Sequence, residues 1–197
     1  AAVQEVLGHL EWGAGLQGTL QGRDVRSSYG RAIDRFTRAL ELEPARGRCL
    51  AYRANARSLL GIATLQAGED PSPHFQQAIA DYTTILDAAP TNVRARTNRA
   101  NAWGQLGDAL RGRNPSALEC YDRSLADYDE VAGAQPDHPR VFQQRGWVRM
   151  ERTRLAIELG RDPGDGYARA LADFDECLRR NPDAFVTRTN RGVLHRT

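Results

Sequence analysis

Lysine is absent from this 197-residue chain: all 27 basic residues are arginine, a bias that a GC-rich coding genome produces without any demand from chemistry. Methionine occurs once, at Met150. A chain without an initiating methionine reads as a piece excised or processed from a longer polypeptide, and the composition points to a bacterial source. Cysteine is scarce as well. Cys49, Cys120 and Cys177 show no CxxC spacing and cannot all pair, so neither a disulfide framework nor a zinc site is indicated, and a reducing, cytoplasmic compartment is expected. No stretch approaches the roughly 18 to 20 uninterrupted apolar residues of a spanning helix, and the N-terminus lacks the basic-then-apolar layout of a signal peptide, so no membrane partner is expected. Catalytic chemistry is equally thin. His9, His74, His138 and His195 form no i, i+4 pair for a metal. No nucleophile, base and orienter fall together, and no Gly-rich phosphate loop follows a strand. We therefore expect no enzyme activity, no metal and no cofactor. With 41% apolar residues and a formal charge of +2, the chain can still bury a core.

What the chain has in abundance is repetition. The prolines ending "ELEP", "DAAP", "GAQP" and "RRNP" are Pro44, Pro90, Pro136 and Pro182, each 46 residues after the last. The same shift aligns an aromatic set (Tyr29, Phe75, Tyr121, Tyr167), a second aromatic set (Phe36, Tyr82, Tyr128, Phe174) and a small set between them (Ala32, Ala78, Ser124, Ala170). A fixed period of this size marks stacked supersecondary units. The repeats divide the chain into 1–44, 45–90, 91–136 and 137–182, with a half repeat at 183–197.

The same alignment decides what to make of "GRDPGDG" at residues 160–166, which has the look of a calcium or phosphate loop. Gly22-Arg23-Asp24, Gly68-Glu69-Asp70-Pro71 and Gly112-Arg113-Asn114-Pro115 occupy the equivalent places. Glycine ends one helix in the left-handed conformation, Asp or Asn caps the next, and Pro suits the first turn. The extra Gly164 and Gly166 could form an ion loop with Asp162 and Asp165, but the other corners lack that acidic spacing. Each corner is read as a chain reversal that binds nothing.

Each repeat is then a helical hairpin. First helices are expected near 2–21, 45–67, 91–111 and 137–159, with a further one from 183, and second helices near 25–43, 72–89, 115–134 and 164–180. Phe75, Ala78, Ile79, Tyr82, Ile85 and Leu86 lie at i, i+3, i+4, i+7, i+10 and i+11, a single apolar face. A lone hairpin cannot cover such a face, so neighbours must stack.

These residues resemble the tetratricopeptide repeats. The resemblance covers the whole chain and rests on a small residue in the first helix (Ala54, Ala100, Gly146, Gly192), the aromatic that opens the second, and the Ala, aromatic and Pro that follow. "NRANAWGQLGDAL" and "ALADFDECLRRNP" are similar to that family's signature. The departure is length: the family period is 34 residues, and the 12 extra here lie on either side of the corner, lengthening both helices at the tip of the hairpin by roughly 9 Å each at about 1.5 Å per residue. The resemblance implies an all-α, right-handed superhelical solenoid of antiparallel hairpins. It also implies a scaffold that holds a peptide or partner protein on a concave surface lined by first helices.

In family members that grip a C-terminal carboxylate, Asn and basic residues from successive first helices form the clamp. Asn55, Asn98 and Arg140 fall on matching columns, whereas Ala51 and Gln144 stand where basic residues would be expected, which leaves the clamp incomplete. Asn101 and Trp147 complete the candidate wall. Arg48, Arg94 and Arg140 recur 46 apart near the start of first helices, and two readings stand: a ladder of charge for an acidic or C-terminal peptide, or a solvated wall. A second ladder, Arg53, Arg99, Arg145 and Arg191, precedes the small residue each time. Asp81, Asp127 and Asp173 lie 18 residues ahead of its last three members, which predicts structural ion pairs between one hairpin's second helix and the next hairpin's first.

The functional expectation is a protein-interaction scaffold. RNA or single-stranded nucleic acid is a second reading, since Trp12, Trp103 and Trp147 on first helices could stack bases, but a net charge of only +2 disfavours it. A structural spacer or oligomerisation segment, associating end to end, is the third.

Overall fold

The computed structural model describes residues 1–194. The end of the expected half repeat, with His195, lies outside the described residues. Nine helices and no strand are found among the described residues: α1 Ala2–Leu20, α2 Arg26–Leu42, α3 Gly47–Gln66, α4 Ser72–Ala88, α5 Val93–Leu110, α6 Ala117–Ala134, α7 Pro139–Glu158, α8 Gly166–Arg180 and α9 Phe185–Leu194. Each starts within two residues of the place its pattern predicts. None is long and apolar enough to cross a membrane. The chain divides into two compact units, Ala1–Ala109 and Leu110–Thr197. In the first, α1 packs on α2, α2 on α3 and α3 on α4; in the second, α6 packs on α7, α7 on α8 and α8 on α9.

The corners are built as helix punctuation requires. Gly22, Gly68, Gly112 and Gly160 have φ of 67°, 78°, 72° and 65°, a region open to glycine and strained for other residues. Two residues on, an Asp or Asn oxygen accepts a backbone N–H. Asp24 takes that of Arg26 at 3.1 Å, Asp70 that of Ser72 at 3.1 Å, Asn114 that of Ser116 at 2.9 Å and Asp162 that of Gly164 at 2.8 Å. Each oxygen satisfies a donor that a turn or helix start would leave unpaired.

The hairpins are held by close approach of a residue without bulk to an aromatic ring. A Cβ at Gly8 would stand 2.7 Å from the Phe36 ring, and one at Gly146 would stand 2.7 Å from Phe174. Ala54 and Ala100 occupy the same column and are fully buried. A second column, seven residues further along the first helix, is absent from the 34-residue signature. A Cβ at Gly15 would lie 2.5 Å from Tyr29, and one at Gly61 would lie 2.7 Å from Phe75. The added length of the hairpin thus carries its own glycine–aromatic contact.

In the fourth hairpin that second column holds Thr153, whose hydroxyl donates to the Arg149 carbonyl at 2.7 Å. The glycine has moved to the opposite helix: a Cβ at Gly166 would fall 2.0 Å from Thr153 Oγ1. Gly164, with φ of 56°, makes the extra bend that brings Gly166 there. Of the two additional glycines of the last corner, Gly166 therefore serves packing and Gly164 serves backbone conformation.

Two predictions follow from the packing. Gly61→Ala drives a methyl into a fully buried ring and should cost about 1 to 3 kcal/mol. Gly30→Ala, inside α2 with no atom within 4 Å of the new methyl, should instead stabilise by about 0.5 to 1 kcal/mol through backbone entropy. Urea unfolding of both variants checks this, and shifts of equal sign would mean that the ring can retreat. The three cysteines are free and buried. Burial, with the charge of Glu119 adding to it, pushes the Cys120 thiol up to about 11. At pH 8 only about one thiol in a thousand is then thiolate. Iodoacetamide at that pH should leave Cys120 unmodified in native protein and alkylate it in urea, as read by peptide mass.

Candidate partner-binding groove

Most arginines of the chain are held by carboxylates, and the pattern separates structural guanidiniums from those left over. Arg53 on α3 donates through Nε and Nη2 to Asp81 on α4 at 3.0 and 2.7 Å, and through Nη1 to the Thr37 hydroxyl on α2 at 3.3 Å. Arg57, one turn on, adds a contact to Asp81 at 2.5 Å. In the second unit Arg145 donates through Nε and Nη2 to Asp173, the shorter contact 2.6 Å, and through Nη1 to Asp129 at 2.9 Å, while Arg149 reaches Asp173 at 2.8 Å. The same back contact recurs at Arg99, whose Nη1 donates to Thr83 at 3.2 Å, and at Arg191, whose Nη1 meets Asp175 at 2.9 Å. The ladder is structural, as expected.

Its pairing differs from the expected one. Asp81 and Asp173 pair with the arginines 28 residues before them, within their own hairpins, and Arg191 pairs with Asp175. The reason is the close contact described above. Each ladder arginine immediately precedes the small residue, and each aspartate immediately precedes the aromatic that packs on it, so bringing glycine to ring brings guanidinium to carboxylate. A Cβ at Gly146 would lie 3.0 Å from Cβ of Asp173.

Asp173 is 2% exposed. Burial pushes its carboxyl up while Arg145 and Arg149 pull it down, and burial lowers Arg149 in turn. Asp173→Ala leaves Arg145 and Arg149 with only the exposed carboxylate of Asp129 between them and should cost about 2 to 3 kcal/mol. Arg123→Ala, which removes an exposed i, i+4 pair with Glu119, should cost at most about 0.5 kcal/mol. Thermal unfolding of both variants checks the contrast; equal small losses would place the triad in solvent.

The leftover arginines define a groove in the first unit. An open cavity of about 590 Å³ is lined by Trp12, Arg48, Ala51, Tyr52, Asn55, Tyr82, Ile85, Asn92, Arg94, Ala95 and Asn98. Among the described residues no acidic side chain lines it. Arg48 and Arg94 are exposed, and neither makes an ion pair among the described residues. Two turns further along α3 and one turn further along α5, Asn55 and Asn98 are tied together. The Tyr82 hydroxyl donates to Asn55 Oδ1 at 2.7 Å, and Asn98 Nδ2 donates to the same oxygen at 3.1 Å. Burial pushes the Tyr82 phenol up to about 12, so it stays a donor. With its oxygen taken twice, Asn55 keeps its amide N–H groups for other acceptors.

An aromatic wall closes one side, with Trp12 edge-on to Tyr52 at 5.5 Å between ring centres and Tyr52 stacked on Phe36 at 5.7 Å. The Trp12 indole nitrogen has no hydrogen-bond partner among the described residues. Asn92 uses its side-chain oxygen to cap α5, accepting from the Ala95 N–H at 3.0 Å.

Of the residues that the sequence singles out, Arg48, Asn55, Arg94 and Asn98 thus meet in one groove. Asn101 lies on α5 outside that lining, and Arg140, Gln144 and Trp147 lie on α7 in the second unit, with Arg140 exposed. Sequence reasoning missed Tyr52, Tyr82, Ile85 and Asn92 as lining residues. Tyr82 was legible only as core, because its ring is buried while its hydroxyl reaches the groove.

No protein-family model matches the chain, and no curated protein does. Solved structures do. A MamA RS-1 ArsTM double mutant superposes with a TM-score of 0.58 at 13% identity, covering 95% of this chain and 83% of that one. A tetratricopeptide repeat protein from Parabacteroides merdae ATCC 43184 gives 0.56 at 21% identity over 95% of this chain, which spans 59% of that protein. MamA itself gives 0.54 at 13% identity over 92% of this chain and 82% of that one. Identities this low speak for the fold, and the fold is an all-α helical solenoid of tetratricopeptide type.

Proposed function

We propose that this chain is a non-enzymatic protein-interaction scaffold whose first-helix face holds an acidic segment of a peptide or partner protein. The observation that carries the reading is the acid-free groove. In a chain whose arginines are otherwise largely neutralised by nearby carboxylates, Arg48 and Arg94 stand exposed on successive first helices beside amide donors and an aromatic wall. A carboxylate entering there would meet charge-assisted donors, with apolar contact to Trp12 and Ile85 beside them. Arg140, Gln144 and Trp147 would provide a corresponding wall in the second unit, and Asn101 would lie beside the first. Repeat surfaces add modest contacts from each unit, so single substitutions weaken binding less than combined ones.

A random decapeptide library displayed with free and with amidated C-termini tests this on the whole chain. Enriched peptides should be rich in Asp and Glu, and Arg48→Glu/Arg94→Glu should weaken them at least about tenfold without changing the thermal midpoint, since both residues are exposed. Enrichment confined to free C-termini would assign the acid to a terminal carboxylate. Enriched peptides without acids, or binding unchanged in the double variant, would overturn the reading. Preferential capture of single-stranded RNA with a steep salt dependence would replace it with the nucleic-acid alternative.

A further inference from the structure

Trp12 carries a buried donor that nothing in the protein uses. Its indole packs against the buried cluster of Ala32, Phe36, Cys49 and Ala56 and also lines the groove of the first unit. Nε1 is buried without a hydrogen-bond partner among the described residues, so it is closed to solvent as well. A buried indole nitrogen ordinarily finds an acceptor, and one left without carries the cost of its desolvation. Three other buried side-chain atoms among the described residues share this state, Arg57 Nε, Ser58 Oγ and Arg180 Nε, but each has an outlet. The two guanidiniums pair through Nη1 with Asp81 and Glu176, and Ser58 stands beside the Tyr82 hydroxyl. Of the four residues only Trp12 lines the cavity. Its ring is not clamped there. The contact with Tyr52 is edge-on, with the planes at 64°, the torsion that turns an indole about Cβ–Cγ is broad, and an open cavity of about 590 Å³ lies beside it.

We propose that Trp12 is a specificity residue of the groove, whose indole N–H turns to donate to a main-chain carbonyl of an acidic segment bound there. The inference rests on the reading of the groove as a site for such a segment. The division of donors points to a main-chain oxygen. Arg48 and Arg94 offer charge-assisted donors and take the carboxylates. A neutral N–H is left for a neutral oxygen, which every residue of an extended segment presents. A segment bound as a helix has already used its carbonyls, except in the last turn, so Trp12 selects an extended one. The indole serves twice, since its flank gives apolar contact and its N–H gives direction. The empty groove then holds an unmet donor whose cost is relieved when a segment enters. Removing the N–H should therefore stabilise the empty chain and weaken binding, two opposite effects that a purely structural tryptophan would not produce.

The test places β-(3-benzothienyl)alanine at position 12, which keeps the shape of the indole and removes the N–H. The probe is a fluorescein-labelled, amidated decapeptide of Asp-Leu-Glu-Gly repeats, titrated with the whole chain by fluorescence anisotropy. The isostere should weaken the peptide about three- to tenfold, while the thermal midpoint of the free chain rises by about 2 to 4 °C. Trp12→Phe, which also lacks the N–H, should weaken binding at least as much. Alanine in place of each Asp and Glu of the peptide in turn should leave the ratio between native chain and isostere unchanged; a ratio that vanishes at one position would overturn the main-chain assignment in favour of that carboxylate. Equal affinity for native chain and isostere would overturn the proposal, and loss of the same peptide in Arg48→Glu/Arg94→Glu would then leave the reading of the groove standing without it. A midpoint that falls together with the affinity would make the ring structural and would overturn the proposal as well. A peptide held equally by all these chains, or not held by the native one, would remove both.

Discussion

Everything in this molecule hangs on a side chain that is missing. Where a first helix meets its partner, a glycine or alanine lets an aromatic ring lie against the backbone, and the ring fixes both the distance between the helices and their register. Gly8 and Gly146 admit Phe36 and Phe174, and Gly15 and Gly61 admit Tyr29 and Phe75. Two such contacts seven residues apart define a line rather than a point, so the two helices cannot pivot. The additional residues extend the contact instead of forming a loop.

The ion-pair ladder is a consequence of that contact. Arginine sits beside the small residue and aspartate beside the ring, so closing one closes the other. Such pairs add little to stability once desolvation is counted, but they are costly to misalign. A hairpin slipped by one turn would bury two guanidiniums without a carboxylate. The back contact from Nη1 to Thr37, Thr83, Asp129 or Asp175 ties each hairpin to the one before. One side chain thereby sets the geometry within a repeat and the step between repeats, and the ladder acts as a register device more than as glue.

The periodic part of this design was legible in the sequence, because Pro44, Pro90, Pro136 and Pro182, the two aromatic sets and the corner glycines recur at fixed offsets and each has one physical role. The helices accordingly fall where the pattern puts them. Two things were hidden. The pairing of Asp81 with Arg53 could not be told from a pairing with Arg99, since spacing alone does not say whether a charge looks across its own hairpin or to the next. The groove was only half visible. Arg48, Arg94, Asn55 and Asn98 are polar residues on first helices, but Tyr82 was counted as core, and a phenol whose ring is buried and whose hydroxyl emerges elsewhere has no signature in a hydrophobic pattern. The second glycine column shows the opposite failure: Gly15 and Gly61 were in plain view, yet a helical glycine is read as a weakness until the ring opposite it is known.

Net charge misleads here for the same reason. A value of +2 suggests a surface with no preference between anions and cations, yet it is a sum over two different populations. Arg53, Arg57, Arg145 and Arg149 are committed to Asp81 and Asp173 inside the packing. Arg31, Arg38, Arg123 and Arg179 sit beside Glu11, Glu41, Glu119 and Glu176 on the outer surface. Setting these paired groups aside leaves the cations that no carboxylate accompanies, among them Arg48 and Arg94 facing a cavity without an acid. The potential that a ligand meets is set by this local remainder, because charges separated by more than about 8 Å are largely screened at physiological ionic strength. A near-neutral chain can in this way carry a basic groove.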